Sequence, residues 1–111
     1  MSNIYYKTGD TDDRGAVLLH NGVGIDLTGY TVVFVLSDGH DIRFEVPCTL
    51  GGTVNGVDAL AANGGITINF STDYTGTAGT YYGEFVATIG TNVIHIPPDN
   101  NYTIVTIMEA L

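Results

Sequence analysis

Three of the twelve acidic residues fall in one run, Asp10-Thr11-Asp12-Asp13-Arg14-Gly15, which starts like a calcium loop. Carboxylates stand at its first and third positions and glycine at its sixth. The pattern then fails. Arg14 puts a cation at the fifth position, where an oxygen ligand is needed, and Asn21 at the twelfth cannot supply a bidentate carboxylate. An Asp-rich turn whose side chains bond their own backbone accounts for the run. His20, His40 and His95 lie far apart and Cys48 is the lone cysteine, so no zinc ligand spacing exists. His40-Asp41 would supply half of a catalytic pair, but Ser2, Ser37 and Ser71 stand outside any Gly-x-Ser-x-Gly elbow. Gly22-Val23-Gly24 lacks the third glycine of a dinucleotide loop and precedes no helix. Gly76, Gly79 and Gly83 precede a strand, which argues against a phosphate cradle. No catalytic residue, metal ligand or cofactor site is therefore expected, and the chain reads as a non-enzyme.

The remaining candidates are structural. Cys48 cannot form an intrachain disulfide and ends an apolar stretch, so it reads as a small buried hydrophobe. His95 lies within Val93-Ile94-His95-Ile96, where alternation turns it away from the isoleucines, toward solvent or an interface. Seven tyrosines would suit a sugar-binding platform if several shared one exposed face. One feature is more specific: Asp73-Tyr74-Thr75-Gly76-Thr77-Ala78-Gly79-Thr80-Tyr81 runs into a long strand. This matches the approach to a tyrosine corner, in which a tyrosine near a strand start bonds backbone a few residues upstream. Tyr81 would be that residue, with Gly83 in the place of the usual cysteine.

The elements that must carry these residues are strands. The chain has fifteen glycines, fifteen threonines, no glutamine and no tryptophan. Such a composition is poor in helix formers and suited to sheet. Strands are expected over residues 4–7, 14–20, 31–37, 42–47, 66–70, 81–89, 92–97 and 102–108. Asn21-Gly22 and Gly90-Thr91-Asn92 are hairpin signals. Ile42, Phe44 and Val46 alternate with Arg43 and Glu45, whereas TVVFVLS over residues 31–37 is apolar on both faces. Ile25-Asp26-Leu27-Thr28-Gly29-Tyr30 reads as a corner with apolar anchors, residues 71–74 as a single helical turn, and residues 97–101 as the last turn. The stretch from Leu50 to Gly65 reads as a long connection with a short strand or helical turn around residues 57–62. The predicted fold is all-β: one antiparallel immunoglobulin-like β-sandwich of about seven or eight strands, over residues 1–111. Val33, Phe34, Val35, Phe44, Phe70, Phe85, Ile104 and Ile107 are expected in its core.

Charge and size exclude several function classes. Three basic and twelve acidic residues give a net charge of -9. Lys7, Arg14 and Arg43 do not cluster, which disfavours nucleic acid and anionic membranes as partners. No apolar run is long enough to span a membrane, and the N-terminal residues lack the pattern of a signal peptide. With 44% apolar residues, the domain is expected to leave apolar surface for self-association. The contact would use an unguarded strand edge or the connection from Leu50 to Gly65, in a ring or trimer.

Four blocks in order resemble the N-terminal domain family of phage upper baseplate proteins. They are Gly9-Asp10-Thr11; Ile25-Asp26-Leu27-Thr28-Gly29-Tyr30-Thr31-Val32-Val33-Phe34; Thr77-Ala78-Gly79-Thr80-Tyr81-Tyr82-Gly83-Glu84-Phe85; and Ile96-Pro97-Pro98-Asp99-Asn100-Asn101-Tyr102-Thr103-Ile104-Val105-Thr106-Ile107. The resemblance implies a β-sandwich module that fixes receptor-binding or fibre proteins to a virion. It implies a virion location, other virion proteins as partners and a structural or adaptor role. The family usually continues into further segments where this chain stops at Leu111. The alternative is a carbohydrate- or host-surface-binding β-sandwich, which exposed tyrosines grouped on one face would favour.

Overall fold

The structure is a computed structural model that describes residues 3–9, 13–20, 23–39, 43–54, 56–70, 78–96 and 103–109. Its strands are β1 (Asn3–Lys7), β2 (Arg14–Val17), β3 (Leu19–His20), β4 (Val23–Gly24), β5 (Thr31–Ser37) and β6 (Arg43–Leu50). They continue with β7 (Gly52–Val54), β8 (Val57–Ala59), β9 (Gly65–Ile68), β10 (Gly79–Ile89), β11 (Asn92–Ile96) and β12 (Thr103–Met108). One short 3-10 turn, Ala61–Asn63, is the only helical element among the described residues. No helix there is long and apolar enough to cross a membrane. The expectations for Asp10 to Asp12, Asn21-Gly22, His40-Asp41, Ile42, the helical turn at 71–74 and the turn at 97–101 lie outside the described residues.

The all-β expectation holds. Eight strands form one sheet in the order β1-β12-β10-β5-β6-β9-β2, with β11 also paired to β10. Two small ribbons, β3-β4 and β7-β8, complete the set. The expected wholly antiparallel arrangement is corrected: β1 runs parallel to β12, with Ile4 opposite Val105 and Tyr6 opposite Ile107. The sheet is mixed because its first strand docks beside its last, and local hairpin signals carry no information about that pairing. The sheet also curls into a half-barrel. The bend lies in β6, which pairs with β5 over residues 43–47 and with β9 over residues 48–50. Strands that change partners in this way make corners between layers. Pro47 stands at the changeover, and its carbonyl accepts the Asn69 N–H at 3.0 Å.

Curling brings the two ends of the strand order together. Arg14 of β2 places its guanidinium carbon 5.2 Å from the Tyr6 ring of β1, and its Nε donates to the Tyr6 hydroxyl at 3.4 Å. A row of rings fills the concave side. Phe85 stacks on Phe34 with centroids 4.5 Å apart, Phe34 meets Phe70 edge-on at 6.4 Å, and Phe70 lies 4.5 Å from Tyr6. Aromatic pairs at such spacings contribute about 0.5–1.5 kcal/mol each beyond their burial. Gly83 makes this row possible. A Cβ there would stand 2.3 Å from Cζ of Phe34, so the ring lies directly over the glycine backbone.

Register divides the expected core into two faces. Val32, Phe34 and Leu36 face inward with Val46, Tyr81, Val105 and Ile107. Val33 and Ile104 are corrections: both are half-buried on the convex side, because alternation along β5 and β12 carries them away from the ring row. Val35 is buried but also on that side. Phe44 packs against the core only partly buried, and Phe70, Phe85 and Ile107 belong to it as expected.

Two segments are more finely divided than the sequence suggests. The strand expected over 14–20 breaks at Leu18, which is buried, donates to the Gly64 carbonyl at 2.8 Å and accepts from Ile25 at 3.0 Å. The connection from Leu50 to Gly65 holds the β7-β8 ribbon and the 3-10 turn, near the residues where a short strand or turn was expected. The corner at residues 25–30 is confirmed. Leu27 is fully buried, and Asp26 accepts hydrogen bonds from the Thr28 hydroxyl and, at 3.0 Å, from the Thr28 N–H, which hold its carboxyl below the usual range.

Candidate interaction surfaces

The described side chains that could do chemistry are occupied structurally. Cys48 is half-buried with Sγ 3.8 Å from the Val46 carbonyl, and burial pushes its thiol up to about 12. A thiol so protonated is a packing residue. The Ser37 hydroxyl accepts the Gly39 N–H at 3.1 Å and serves a turn. Tyr81 is buried, 6.1 Å from Phe44 between centroids. Its hydroxyl lies 3.7 Å from where a Gly79 Cβ would stand, so the ring folds back over its own upstream backbone. Burial raises its phenol above the ordinary value, and the Asp38 carboxylate adds to the shift. Residues 71–77, upstream of that point, lie outside the described residues. Among the described residues no three His, Cys, Asp or Glu side chains form a cluster that could hold a metal ion.

Exposed chemistry is found instead on two surfaces. The first is the convex face. Register places Val33 and Val35 of β5 beside Val86 of β10, with Ile104 of β12 and Tyr5 of β1 farther along the same side. Tyr5 is 58% and Tyr82 47% exposed, and Met108 is also exposed. An open basin of about 410 Å³ lies beside Tyr82, lined by Val35, Ser37, Gly39, Arg43 and Glu84. Lys7 and Arg43, two of the three cations in the chain, fall on this side by register. Glu45 is 3.9 Å from Arg43, and Glu84 is 3.3 Å from Nδ1 of His95. Exposed pairs of this kind contribute little to stability but set a pattern of both signs. His95 thus points away from Ile94 and Ile96, as the alternation predicts.

Among the described residues two tyrosines are exposed, both on the convex side. Tyr5 stands on β1 and Tyr82 on β10, with β12 between them. Tyr6 and Tyr81 are buried and Tyr30 is half-buried, while Tyr74 and Tyr102 lie outside the described residues.

The second surface was not expected. A groove of about 480 Å³ runs between the β3-β4 ribbon and β11, lined by Leu19, Val23, Gly24, Ile25, Ile94, His95 and Ile96. The Asn21-Gly22 signal marks the ribbon, but its position beside β11, some seventy residues on, is a non-local packing result. Only the exposed apolar residues flanking that signal, Leu19 and Val23, hinted at it.

No protein-family model matches the chain. No curated protein sequence matches it either. Among solved structures, the chain is similar to the N-terminal domain of ORF48 of phage TP901-1, with 12% identity and a TM-score of 0.54. The match covers 100% of this chain and 85% of that one. At this identity the likeness is one of fold, and it meets the resemblance to a phage N-terminal domain that the sequence blocks carry.

Proposed function

We propose that the chain is a non-enzymatic structural or adaptor module of a bacteriophage virion, in the baseplate or the tail and fibre attachment region. It acts by protein-protein contact, as one β domain over residues 1–111. The observation that carries this reading is the convex face: an apolar sheet surface that also holds two of the three cations. Solvent does not require Tyr5, Tyr82 and Met108 to stand exposed around the half-buried Val33 and Val86, whereas a neighbouring subunit would cover them. The fold likeness to a phage domain and the ordered sequence blocks support the same reading.

On this account copies of the chain meet through the convex face and close into a ring or trimer. Elsewhere the chain is overwhelmingly acidic, so copies would repel. Here Lys7 and Arg43 lie with Glu45 and Glu84, so the cations of one copy can meet the carboxylates of the next in a heterologous contact that closes into a ring. Tyr81 is the corner tyrosine that fixes the entry into β10, within a half-barrel related to the immunoglobulin-like sandwich. Nucleic acid and membrane are not partners, because three scattered cations cannot neutralise a phosphate surface.

Gold-labelled antibody against the chain, applied to particles purified from lysates of cells that make it, tests the reading. Label at the tail end of intact particles is the expected result. Particles free of label, with the chain soluble in the lysate, would refute it.

A further inference from the structure

The groove beside β11 has the form of a missing strand. Along β10, residues 79–83 pair with β12 and residues 85–89 with β11, so these two strands lie end to end on one edge. The next row outward is filled beside β12 by β1. Beside β11 the described residues place no strand. The groove is lined there by three consecutive residues, Ile94, His95 and Ile96, whose side chains alternate between the two faces. A depression that touches consecutive residues of a strand borders its edge, where alternate main-chain N–H and C=O groups point outward. From the pairing Ile89 with Asn92 across Gly90-Thr91, those groups belong to Val93 and His95. No lysine or proline within β11 guards the edge, and the lining is almost wholly apolar.

Charge selects the occupant. None of Lys7, Arg14 and Arg43 lines the groove. Asp26 follows Ile25, is exposed and is held ionised by Thr28, while Glu84 contacts His95. We infer that this groove takes an extended segment of a different protein, apolar at alternate positions and flanked by Lys or Arg, as an added strand on β11. A second copy is a poor occupant, because it would bring -9 to an acidic rim. The inference shares only the premise of a protein partner with the proposed function. Its site adjoins the convex face at Glu84 and His95, but Val23 and the β11 edge lie outside the basin beside Tyr82, so either can fail alone.

The test is selection from a displayed library of random twelve-residue peptides on the full chain, followed by two variants. Val23→Lys changes an exposed groove residue, 68% accessible, and puts a cation on the rim. Val93→Pro removes an N–H that points away from β10. The selected peptides should alternate apolar and polar residues and carry net positive charge. They should slow exchange of the Val93 and His95 amides at least tenfold, and lose at least tenfold in affinity on Val23→Lys. Val93→Pro should do the same, with circular dichroism of both variants unchanged. The inference is overturned if no peptides are enriched, if the enriched ones lack alternation or positive charge, or if Val23→Lys binds them as well as the wild type. It is also overturned if the edge becomes protected by protein concentration alone, which would make a second copy the occupant.

Discussion

Strand β5 carries apolar residues on both faces, in very different surroundings. Inward, Val32, Phe34 and Leu36 are sealed under the rings of Phe85 and Phe70. Outward, Val33 and Val35 sit among Tyr82, Glu84 and Glu45, beneath an open basin. The inner face is closed by the chain's own curvature; the outer face is only partly covered among the described residues, with Val35 buried and Val33 half-buried beside the exposed Tyr82. An apolar run in a strand therefore does not say how each side is covered, and only topology shows which side the chain's own curl closes.

Truncating the inner face should have the largest effect. Phe34→Ala removes a fully buried ring that meets two others, and should cost about 3–5 kcal/mol in urea denaturation. An unchanged midpoint would mean that the ring row does not hold the curl. Next in size is Gly83→Ala, which forces the Phe34 ring off the glycine and should cost about 1–3 kcal/mol. In a Phe34→Leu background that cost should shrink, because the two residues share one space. Full additivity would separate them.

The alkaline limb of stability is a smaller effect. Tyr81 and Cys48 both have raised folded values, so their neutral forms are favoured in the fold. Their contribution is complete below the unfolded values, near 9.0 for the thiol and 10.0 for the phenol, and is lost as pH rises toward the folded ones. Tyr81→Phe and Cys48→Ala should each flatten the decline in melting temperature above those values. Native protein at neutral pH should also resist thiol alkylation until unfolded; rapid native labelling would place Cys48 at the surface. The smallest effect belongs to the outer face. Val33→Thr should change monomer stability by less than about 1 kcal/mol, since it exchanges one strand former for another at a half-buried site. A loss as large as that of Phe34→Ala would erase the distinction between the faces.

What could be read from the sequence follows the range of the forces involved. Strand β5 and the hairpin of β10 and β11 were legible because alternation and turn chemistry act within a few residues. The corner around Leu27 was legible for the same reason. The parallel docking of β1 on β12 was not, nor was the curl that sets Arg14 over Tyr6, because both depend on contacts across most of the chain. Val33 and Ile104 were misplaced in the core because hydrophobicity cannot tell a covered face from one awaiting cover. The groove at β11 was missed entirely, although Leu19 and Val23 on either side of the Asn21-Gly22 sequence signal are apolar where a free hairpin would be polar.

The mass of the chain in solution tests the central claim most directly. Sedimentation equilibrium over a wide concentration range should show a trimer or closed ring for the wild type. Tyr82→Asp on the convex face should return it to monomer, while Val57→Asp, equal in charge change but on the β7-β8 ribbon, should leave the assembly intact. A wild-type chain that stays monomeric at the highest concentrations, or an assembly indifferent to Tyr82→Asp, would contradict the assignment of the convex face as the surface where copies meet.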